Sequence, residues 1–222
     1  QAGEGNDRKL EKGDFLITDI EKVHLNKLVK SYSNTILIVN VGGIIDMSFL
    51  DEINEIKAVV QYGQAGEEGG NALANLLTGK INFSGKLADT IPLRYDDIPF
   101  GDEYGYLNGS LDNEYYKEGI YVGYRYYDSF HKDVRFPFGF GLSYTSFSIE
   151  TTDVKLDKTI VKLTEKVTNV GKFNGKEVVQ IYVSVPGQNK EFQRLIEFTK
   201  TSEIRPNETE VIELSFDIAD CA

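Results

Sequence analysis

Residues 14–41 combine one helical pattern with one strand pattern. Apolar side chains in residues 14–30 recur at helical spacing, and Thr18 or Asp19 would serve as the N-cap. Residues 35–41 form an apolar run rich in β-branched side chains, which is typical of a strand buried on both faces of a parallel sheet. The predicted apolar face of the helix comprises Ile17, Ile20, Val23, Leu25 and Leu28.

Residues 47–79 repeat this alternation. A short helix is predicted over 47–56, a strand over 58–61, and an amphipathic helix over 71–79 after a glycine-rich loop. This order of elements predicts an α/β fold whose parallel sheet is connected by right-handed crossovers. Ligands gather at the carboxyl ends of such strands, where the loop at 61–70 would lie.

The pattern changes twice further along the chain. Residues 79–145 are rich in Gly, Pro, Asp and Tyr, so we expect long ordered loops with a short strand or helix near 120–124. After about Thr145 apolar and polar residues mostly alternate, which predicts a β-sandwich. Its strands are predicted at 147–150, 161–167, 177–183 and 210–216, with turns at 169–171, 174–175 and 205–207. Only 77 residues follow Thr145, against about 100 in such a domain, so we expect the sandwich to be incomplete.

The glycine-rich loop carries the candidate chemistry. Glu67 and Glu68 adjoin within Gln61-Tyr-Gly-Gln-Ala-Gly-Glu-Glu-Gly-Gly-Asn71, directly after a predicted strand. Carboxylates in this position are held by a rigid scaffold, and flanking glycines let a bulky ligand approach the backbone, which favours acid/base chemistry. The alternative is a solvated helix start, where acidic side chains complement the macrodipole. Phosphate binding is disfavoured, since two carboxylates repel an anion and the Gly-x-Gly-x-x-Gly spacing is absent.

Composition and charge exclude several classes of function. The net charge of −11 disfavours nucleic acid as a partner, because phosphate binding requires clustered Lys and Arg. No apolar run approaches the roughly 18 residues of a membrane span, so no membrane partner is expected. No segment resembles a signal peptide, so we expect a cytoplasmic location, with secretion as the alternative. The single cysteine, Cys221, and the isolated His24 and His131 predict neither a metal site nor a cofactor.

Five motifs occur in an order that resembles one enzyme family. They are Gly3-Glu-Gly-Asn-Asp-Arg8 and the segments 64–71, 77–87, 120–128 and 136–145. Together they resemble the second, α/β sandwich domain of glycoside hydrolase family 3, which contains β-glucosidases and β-xylosidases. Residues 167–183 resemble the fibronectin type III-like domain that often follows it. The resemblance predicts an N-terminally incomplete α/β sandwich domain at 1–144 and a C-terminally incomplete fibronectin III-like β-sandwich at 145–222.

The resemblance also implies a mechanism with two carboxylates. Family members of this kind retain the anomeric configuration, with a nucleophilic Asp on a separate (α/β)8 barrel and an acid/base Glu in a Gly-x-Glu-small-Gly context. Matched to Gly66-Glu-Glu-Gly-Gly70, the acid/base is Glu68. Glu67 falls where the family usually has Gln or Met, and we expect it to contact substrate. The two catalytic carboxyl groups of a retaining enzyme lie about 5–5.5 Å apart.

The other half of such an active site is not recognisable in this sequence. It shows no barrel pattern and no Ser-Asp-Trp-like nucleophile segment, and it has no Trp. We therefore expect part of a β-glucosidase that hydrolyses terminal β-D-glucosyl residues of β-glucosides or cello-oligosaccharides, inactive without the barrel. The alternatives are a β-xylosidase of the same family or a non-catalytic carbohydrate-binding or packing module.

Three other groups of residues are interpreted as mainly structural. The loop at 3–8 faces the barrel in the family, so an interface or substrate-side role is the alternative there. Lys86 and Arg125 carry charge but receive no functional role, since exposed ion pairs contribute little. Six tyrosines are expected to pack loops onto a core, with sugar stacking as the alternative. They are Tyr115, Tyr116, Tyr121, Tyr124, Tyr126 and Tyr127.

Overall fold

The computed structural model describes residues 9–103, 105–110, 112–187 and 190–221. Its first elements are α1 (Asp19–Ser31), β1 (Thr35–Val39), β2 (Ile56–Gln61), α2 (Gly69–Leu77) and β3 (Ile91–Pro92). They are followed by α3 (Tyr124–Ser129), β4 (Val134–Phe136), β5 (Phe147–Asp157), β6 (Ile160–Asn169), β7 (Val178–Val183), β8 (Arg194–Lys200) and β9 (Thr209–Asp217). Backbone contacts divide the chain into two compact units. The first contains 1–71, 89–119 and 132–137, and the second contains 72–88, 120–131 and 138–222.

The first unit contains the predicted parallel sheet. β1 and β2 pair in parallel, with Leu37 opposite Val59, which confirms the α/β assignment. β3 and β4 form a second, antiparallel pair. The buried apolar side chains of this unit include Phe15, Met47, Phe49, Ile53 and Ile91, most of which lie between the helices and strands.

The N-terminus of α1 was predicted five residues too early. The helix begins at Asp19 rather than residue 14, with Thr18 as the N-cap. Glu21 accepts hydrogen bonds from the Thr18 amide at 2.7 Å and hydroxyl at 2.8 Å, and its own amide donates to the hydroxyl at 3.1 Å. This reciprocal capping box sets the first helical turn, so one of the two proposed caps is confirmed.

The predicted apolar face of α1 is not its buried face. Ile20 and Val23 are 68% and 58% exposed, whereas Val29 is buried. Helical periodicity identifies an amphipathic helix, but it does not say which of its faces meets neighbouring elements.

The predictions for β1 and for residues 47–56 need similar correction. Only Val39 of β1 is buried, and Ile36 is 47% exposed. The described residues therefore do not cover both faces of this strand. Within residues 47–56 the helical structure is limited to a 3-10 turn at Ser48–Asp51, and β2 already begins at Ile56. The hydroxyl of Ser48 donates to Asp46 at 2.5 Å, and such short-range side-chain bonds compete with a regular helix.

The second unit contains the β-sandwich. β5, β6 and β9 form one antiparallel sheet, and β7 and β8 form a two-stranded partner sheet. Val167, Val179, Ile204, Ile212 and Leu214 form the core between them.

Two strands of the sandwich differ from the sequence prediction. β5 continues through a polar stretch to Asp157, with an irregularity in register between Thr151 and Asp153. β8 was not predicted, since its sequence Arg-Leu-Ile-Glu-Phe-Thr-Lys mixes apolar neighbours with charges and lacks strict alternation. It pairs with β7, with Gln180 opposite Phe198.

The loop-rich middle of the chain supplies two short strands and α3, which begins at the end of the segment where a short element was expected. Within the described residues, no helix is long and apolar enough to cross a membrane. The boundary between domains at 144 and 145 stays a prediction. The motif at 3–8 lies outside the described residues.

Candidate active-site loop

The candidate loop, residues 62–68, follows the carboxyl end of β2 and leads into α2. The amide of Tyr62 donates to the carbonyl of Val39 at 2.9 Å, which extends the β1–β2 pairing by one bond. The loop therefore starts at the same edge of the sheet at which β1 ends, as expected for a ligand site in a parallel sheet.

Glycines give the loop its path. Gly63 and Gly66 have φ angles of +63° and +69°, in the left-handed region that residues with a Cβ rarely adopt. The amide of Gly69 donates to the carbonyl of Gly66 at 3.2 Å, which closes the turn holding Glu67 and Glu68. Both carboxylates are exposed at the start of α2.

Gly69 is the tightly packed position of this segment. A Cβ built on Gly69 would lie 2.3 Å from the hydroxyl oxygen of Tyr62 and 2.7 Å from the Cβ of Ala65. The first residue of the loop therefore packs directly against the first residue of the helix, and this contact fixes the two ends of the loop relative to each other.

The two adjacent carboxylates have different surroundings. Oε2 of Glu68 accepts a hydrogen bond from the side-chain amide of Asn71 at 2.7 Å. Among the described residues, Oε1 of Glu68 receives no hydrogen bond, and the carboxylate of Glu67 has neither a hydrogen bond nor an ion pair. The structure thus orients one carboxyl group and leaves one of its oxygens open to a ligand. Among the described residues, the structure shows no pairing of the Glu68 carboxyl group with a second carboxylate.

Asn71 was not singled out as a site residue by sequence reasoning. The available signal was its spacing of three residues from Glu68, because residues i and i+3 face the same side at a helix start. That pattern is frequent, so the contact itself had to come from the structure.

The tyrosines of the second unit pack as expected. The ring of Tyr124 stacks on Phe138 with centroids 4.8 Å apart, and its hydroxyl accepts a hydrogen bond from the Leu195 amide at 2.7 Å. Tyr127 is buried. Tyr115 and Tyr116, in the first unit, are 62% and 86% exposed and so are not part of this packing.

The two cations without an assigned role lie close to carboxylates. Lys86 forms an ion pair with Glu177 at 2.8 Å, and both side chains are less than one-fifth exposed. This pair is therefore largely buried, in contrast to the exposed pair expected. Arg125 lies near the buried Glu191, which is paired with Arg194. Burial acts to raise the pKa of Glu191, but the hydrogen bond from Arg194, a backbone hydrogen bond and the charges of Arg194 and Arg125 together outweigh it. The pKa of Glu191 therefore lies below its ordinary value.

No metal site accompanies the loop. In the part of the chain that the structure describes, no group of three or more His, Cys, Asp or Glu side chains is arranged to hold a metal ion.

Sequence comparison identifies the family. Residues 1–124, more than half of the chain, match the model of the glycosyl hydrolase family 3 C-terminal domain. A β-glucosidase of Ruminococcus albus is 42% identical over 224 residues, which cover 100% of this chain and 23% of that protein. β-Glucosidase A of Butyrivibrio fibrisolvens is 34% identical over 232 residues, which cover 95% of this chain and 27% of that protein. The chain belongs to glycoside hydrolase family 3.

Solved structures show the same fold. β-Glucosidase 3B of Thermotoga neapolitana, determined in complex with glucose, matches with a TM-score of 0.91 and 35% identity, over 99% of this chain and 31% of that one. A β-glucosidase of Paenibacillus barengoltzii matches with a TM-score of 0.92 and 36% identity, over 100% of this chain and 25% of that one. The chain spans about a quarter of the length of the curated relatives it matches.

Proposed function

We propose that this chain supplies the general acid/base, Glu68, of a retaining β-glucosidase. The observation that carries the proposal is the carboxyl group of Glu68, which is exposed beyond the end of β2 and anchored through one oxygen to Asn71. The relatives named β-glucosidase make a terminal β-D-glucosyl group the preferred substrate, in β-glucosides or cello-oligosaccharides. β-Xylosides are the alternative substrates. The selectivity between glucose and xylose is expected to depend mainly on residues outside this chain.

In the first step Glu68 acts as an acid. The proton on its free carboxyl oxygen moves to the glycosidic oxygen as the bond between that oxygen and C1 breaks. A nucleophilic carboxylate bonds to C1 from the opposite face, and the aglycone leaves as a neutral alcohol.

In the second step the same group acts as a base. The Glu68 carboxylate takes a proton from water, the water oxygen bonds to C1, and the nucleophile leaves as a carboxylate. Two inversions give net retention, and Glu68 is protonated again at the end of the cycle.

Glu68 is preferred over Glu67 for this role on geometric grounds. A catalytic carboxyl group needs a fixed orientation, and the hydrogen bond from Asn71 restrains Glu68. Glu67 is assigned to the substrate side of the loop, where a neighbouring carboxylate can accept hydrogen bonds from sugar hydroxyls.

The nucleophile is assigned to a part of the enzyme beyond this chain. The family resemblance implies an Asp of an (α/β)8 barrel for this role, and the matched relatives are about four times as long as this chain. Apolar side chains of α1 such as Ile20 and Val23 are exposed, and a larger protein would provide surfaces to cover them.

The competing function is a non-catalytic carbohydrate-binding or packing module. It shares the exposed carboxylates but requires no proton transfer. The two functions therefore differ in the reaction rate of the longer protein that carries this chain, and in the dependence of that rate on the leaving group.

Substitution of Glu68 in that longer protein tests the proposal. We expect Glu68→Ala to lower kcat/KM on cellobiose by about 10²- to 10⁴-fold, the usual contribution of general acid/base catalysis. Activity on 2,4-dinitrophenyl β-glucoside should be spared in the glycosylation step, because that leaving group needs no proton. Added azide should speed turnover of the variant and yield β-glucosyl azide, since an anion needs no base.

Glu67→Ala is the matched control, and its loss should be smaller and similar for both substrates. A wild-type rate of Glu68→Ala on cellobiose would contradict the assignment of Glu68 as the general acid/base. The isolated chain should show no turnover of nitrophenyl β-glucoside, and turnover abolished by Glu68→Gln would place the nucleophile within these 222 residues.

A further inference from the structure

The ammonium group of Lys200 lies among other lysines at the end of a strand in the second unit. Lys200 is the last residue of β8, and its ammonium group donates a hydrogen bond to the carbonyl of Ser84 at 2.8 Å. Three charged side chains act on this group, those of Lys86, Lys176 and Glu177. Together with Lys200 they form what we call the lysine cluster. It combines three positive charges with one negative charge, in a chain whose net charge is −11.

The backbone of the sandwich brings this cluster together. The amide of Thr201 donates to the carbonyl of Glu177 at 2.9 Å, and the amide of Glu177 donates to the hydroxyl of Thr201 at 2.9 Å. These bonds continue the pairing of β7 with β8 beyond Val178, which lies opposite Lys200. The cluster is therefore placed by a paired sheet, and Lys176 and Lys200 come from its two neighbouring strand ends.

The single carboxylate of the cluster is already engaged. Glu177 pairs with Lys86 at 2.8 Å, with both side chains less than one-fifth exposed, and the same oxygen accepts a hydrogen bond from the Val178 amide at 2.7 Å. Lys176 and Lys200 are exposed, and neither forms an ion pair with any residue that the structure describes. The two exposed lysines thus face solvent with little of their charge balanced.

These surroundings favour the neutral amine of Lys200. Partial burial lowers the pKa of this amine, the charges of Lys176 and Lys86 lower it further, and the charge of Glu177 only partly opposes them. A lysine that is partly removed from water and lies next to other cations is nucleophilic at a lower pH than an ordinary lysine. The neighbouring cations also attract anions from solution.

We propose that Lys200 is a site of covalent acylation by acyl phosphates, with Lys176 and Lys86 attracting the anionic acyl donor. An acyl phosphate fits because it combines an electrophilic carbonyl carbon with a phosphate group that complements the cations. The exposed position of Lys200 leaves its amine accessible to a small donor. The proposal goes beyond the proposed function and does not depend on it.

The reaction is an acyl transfer without oxidation or reduction. The neutral amine of Lys200 attacks the carbonyl carbon of the acyl phosphate and forms a C–N bond. The bond between that carbon and the phosphate oxygen breaks, and the proton lost by nitrogen leaves with the phosphate. The product is an N-acyl lysine without charge, so the cluster loses one of its three positive charges.

Lys155 provides an internal reference for the test. It is exposed, but its hydrogen bond to Asp153 and the charge of that carboxylate raise the pKa of its ammonium group. The longer protein that carries this chain is incubated with acetyl phosphate near neutral pH, and the acetylation of each lysine is followed by mass spectrometry of its peptides. Lys200 should be acetylated severalfold faster than Lys155, and its rate should level off at a lower pH. Added salt should reduce this preference, because it screens the attraction of the donor.

Two substitutions shift the charge around Lys200 in opposite directions. Lys176→Met should slow acetylation of Lys200 by about twofold to fivefold, the scale on which one partly exposed charge acts. Glu177→Gln should speed it, since loss of the carboxylate favours the neutral amine and the approach of an anion. Lys172→Met is the matched control, because Lys172 is also exposed but is not among the charges that act on Lys200. It should leave the rate unchanged.

Melting temperatures show whether each variant remains folded. Because the side chain of Lys176 is exposed, Lys176→Met keeps the test decisive even where Glu177→Gln destabilises the unit. Acetylation of Lys200 no faster than that of Lys155 would overturn the proposal. An equal rate at Lys200 in the wild type and in Lys176→Met would overturn it as well, since the cluster would then have no part in the reaction.

Discussion

The packing of Gly69 against Tyr62 illustrates how single atoms shape the loop. The two residues lie at opposite ends of the loop, and the hydroxyl of Tyr62 occupies the space that a side chain of Gly69 would need. The neighbouring Gly70 has open space, with nothing within 4 Å of an added Cβ. The adjacent glycines at 69 and 70 therefore have different physical roles.

This difference makes a prediction for stability. Gly69→Ala should lower the free energy of unfolding by about 1–3 kcal/mol, because the added methyl group displaces Tyr62 and Ala65. Gly70→Ala should instead raise it by about 0.5–1 kcal/mol, since alanine loses less backbone freedom within a helix. Urea unfolding of the two variants measures both values.

A second variant identifies the contact. In the Tyr62→Phe background the hydroxyl is gone, and Gly69→Ala should be less damaging than in the wild type. An equal effect in both backgrounds would show that the hydroxyl of Tyr62 is not the source of the strain.

At the scale of elements, local sequence signals predicted the type of an element better than they predicted which neighbours it packs against. Thr18 was one of two N-caps proposed from the sequence, and the structure shows Thr18 as the cap, in a capping box with Glu21. The start at residue 14 was wrong because apolar periodicity alone extends past the cap. The buried face of α1 was also wrong, since it depends on neighbours that the local pattern does not specify.

The capping box predicts a pH dependence for α1. Hydrogen bonds from the backbone amide of Thr18, and then from its hydroxyl, hold the pKa of Glu21 below its usual value. The folded pKa is thus lower than the unfolded one, so the contribution of Glu21 is complete above the unfolded pKa of about 4.3 and is lost as the pH falls through the folded pKa.

We therefore expect Glu21→Gln to weaken the acid dependence of stability between about pH 5 and pH 3. Thr18→Ala should lower the free energy of unfolding at pH 7 by about 1 kcal/mol, through loss of the cap. Thermal unfolding followed by circular dichroism across this pH range measures both effects. Glu55→Gln, at an exposed position outside the helix, is the control, and an equal change in acid dependence there would contradict the prediction.

At the scale of the whole molecule, segments distant in sequence assemble the second unit. Residues 72–88 belong to the same compact unit as the β-sandwich. Leu87 donates its amide to the carbonyl of Phe140 at 2.8 Å and accepts from the amide of Gly139 at 2.8 Å. Lys86 adds its ion pair with Glu177 and donates to the carbonyl of Gly141 at 3.1 Å.

Loss of the Lys86 ammonium group should destabilise this unit. Lys86→Met keeps much of the side-chain volume but leaves Glu177 without its cation in a largely buried position, and we expect a loss of about 1–3 kcal/mol. Lys155→Met removes the cation of an ion pair with Asp153 in which Lys155 is 73% exposed, and should leave the free energy of unfolding nearly unchanged, because solvent screens the pair. Chemical denaturation of both variants makes the comparison, and equal losses would show that burial of the Lys86 pair has no consequence.

The candidate site was predictable from the sequence only where local signals indicate it. Glu67 and Glu68 were found from their place after a strand, and the family motif ranked Glu68 first; its catalytic role stays a prediction. The anchor at Asn71 was not found, because an i,i+3 spacing occurs at many helix starts. The ion pair of Lys86 was not found, because nothing local to Lys86 indicates Glu177.

The sequence by itself determined those features that depend on neighbouring residues along the chain. These are the change from α/β to all-β patterns, the cap of α1, the strands β1 and β2, and the acidic loop between glycines. The tertiary structure decided which face of α1 is buried, that residues 194–200 form a strand, which carboxylate of the loop is anchored, and which cation is paired in the interior. Burial and pairing are settled by residues far apart in the chain, since solvent exclusion and hydrogen-bond geometry exist only once those residues have come together.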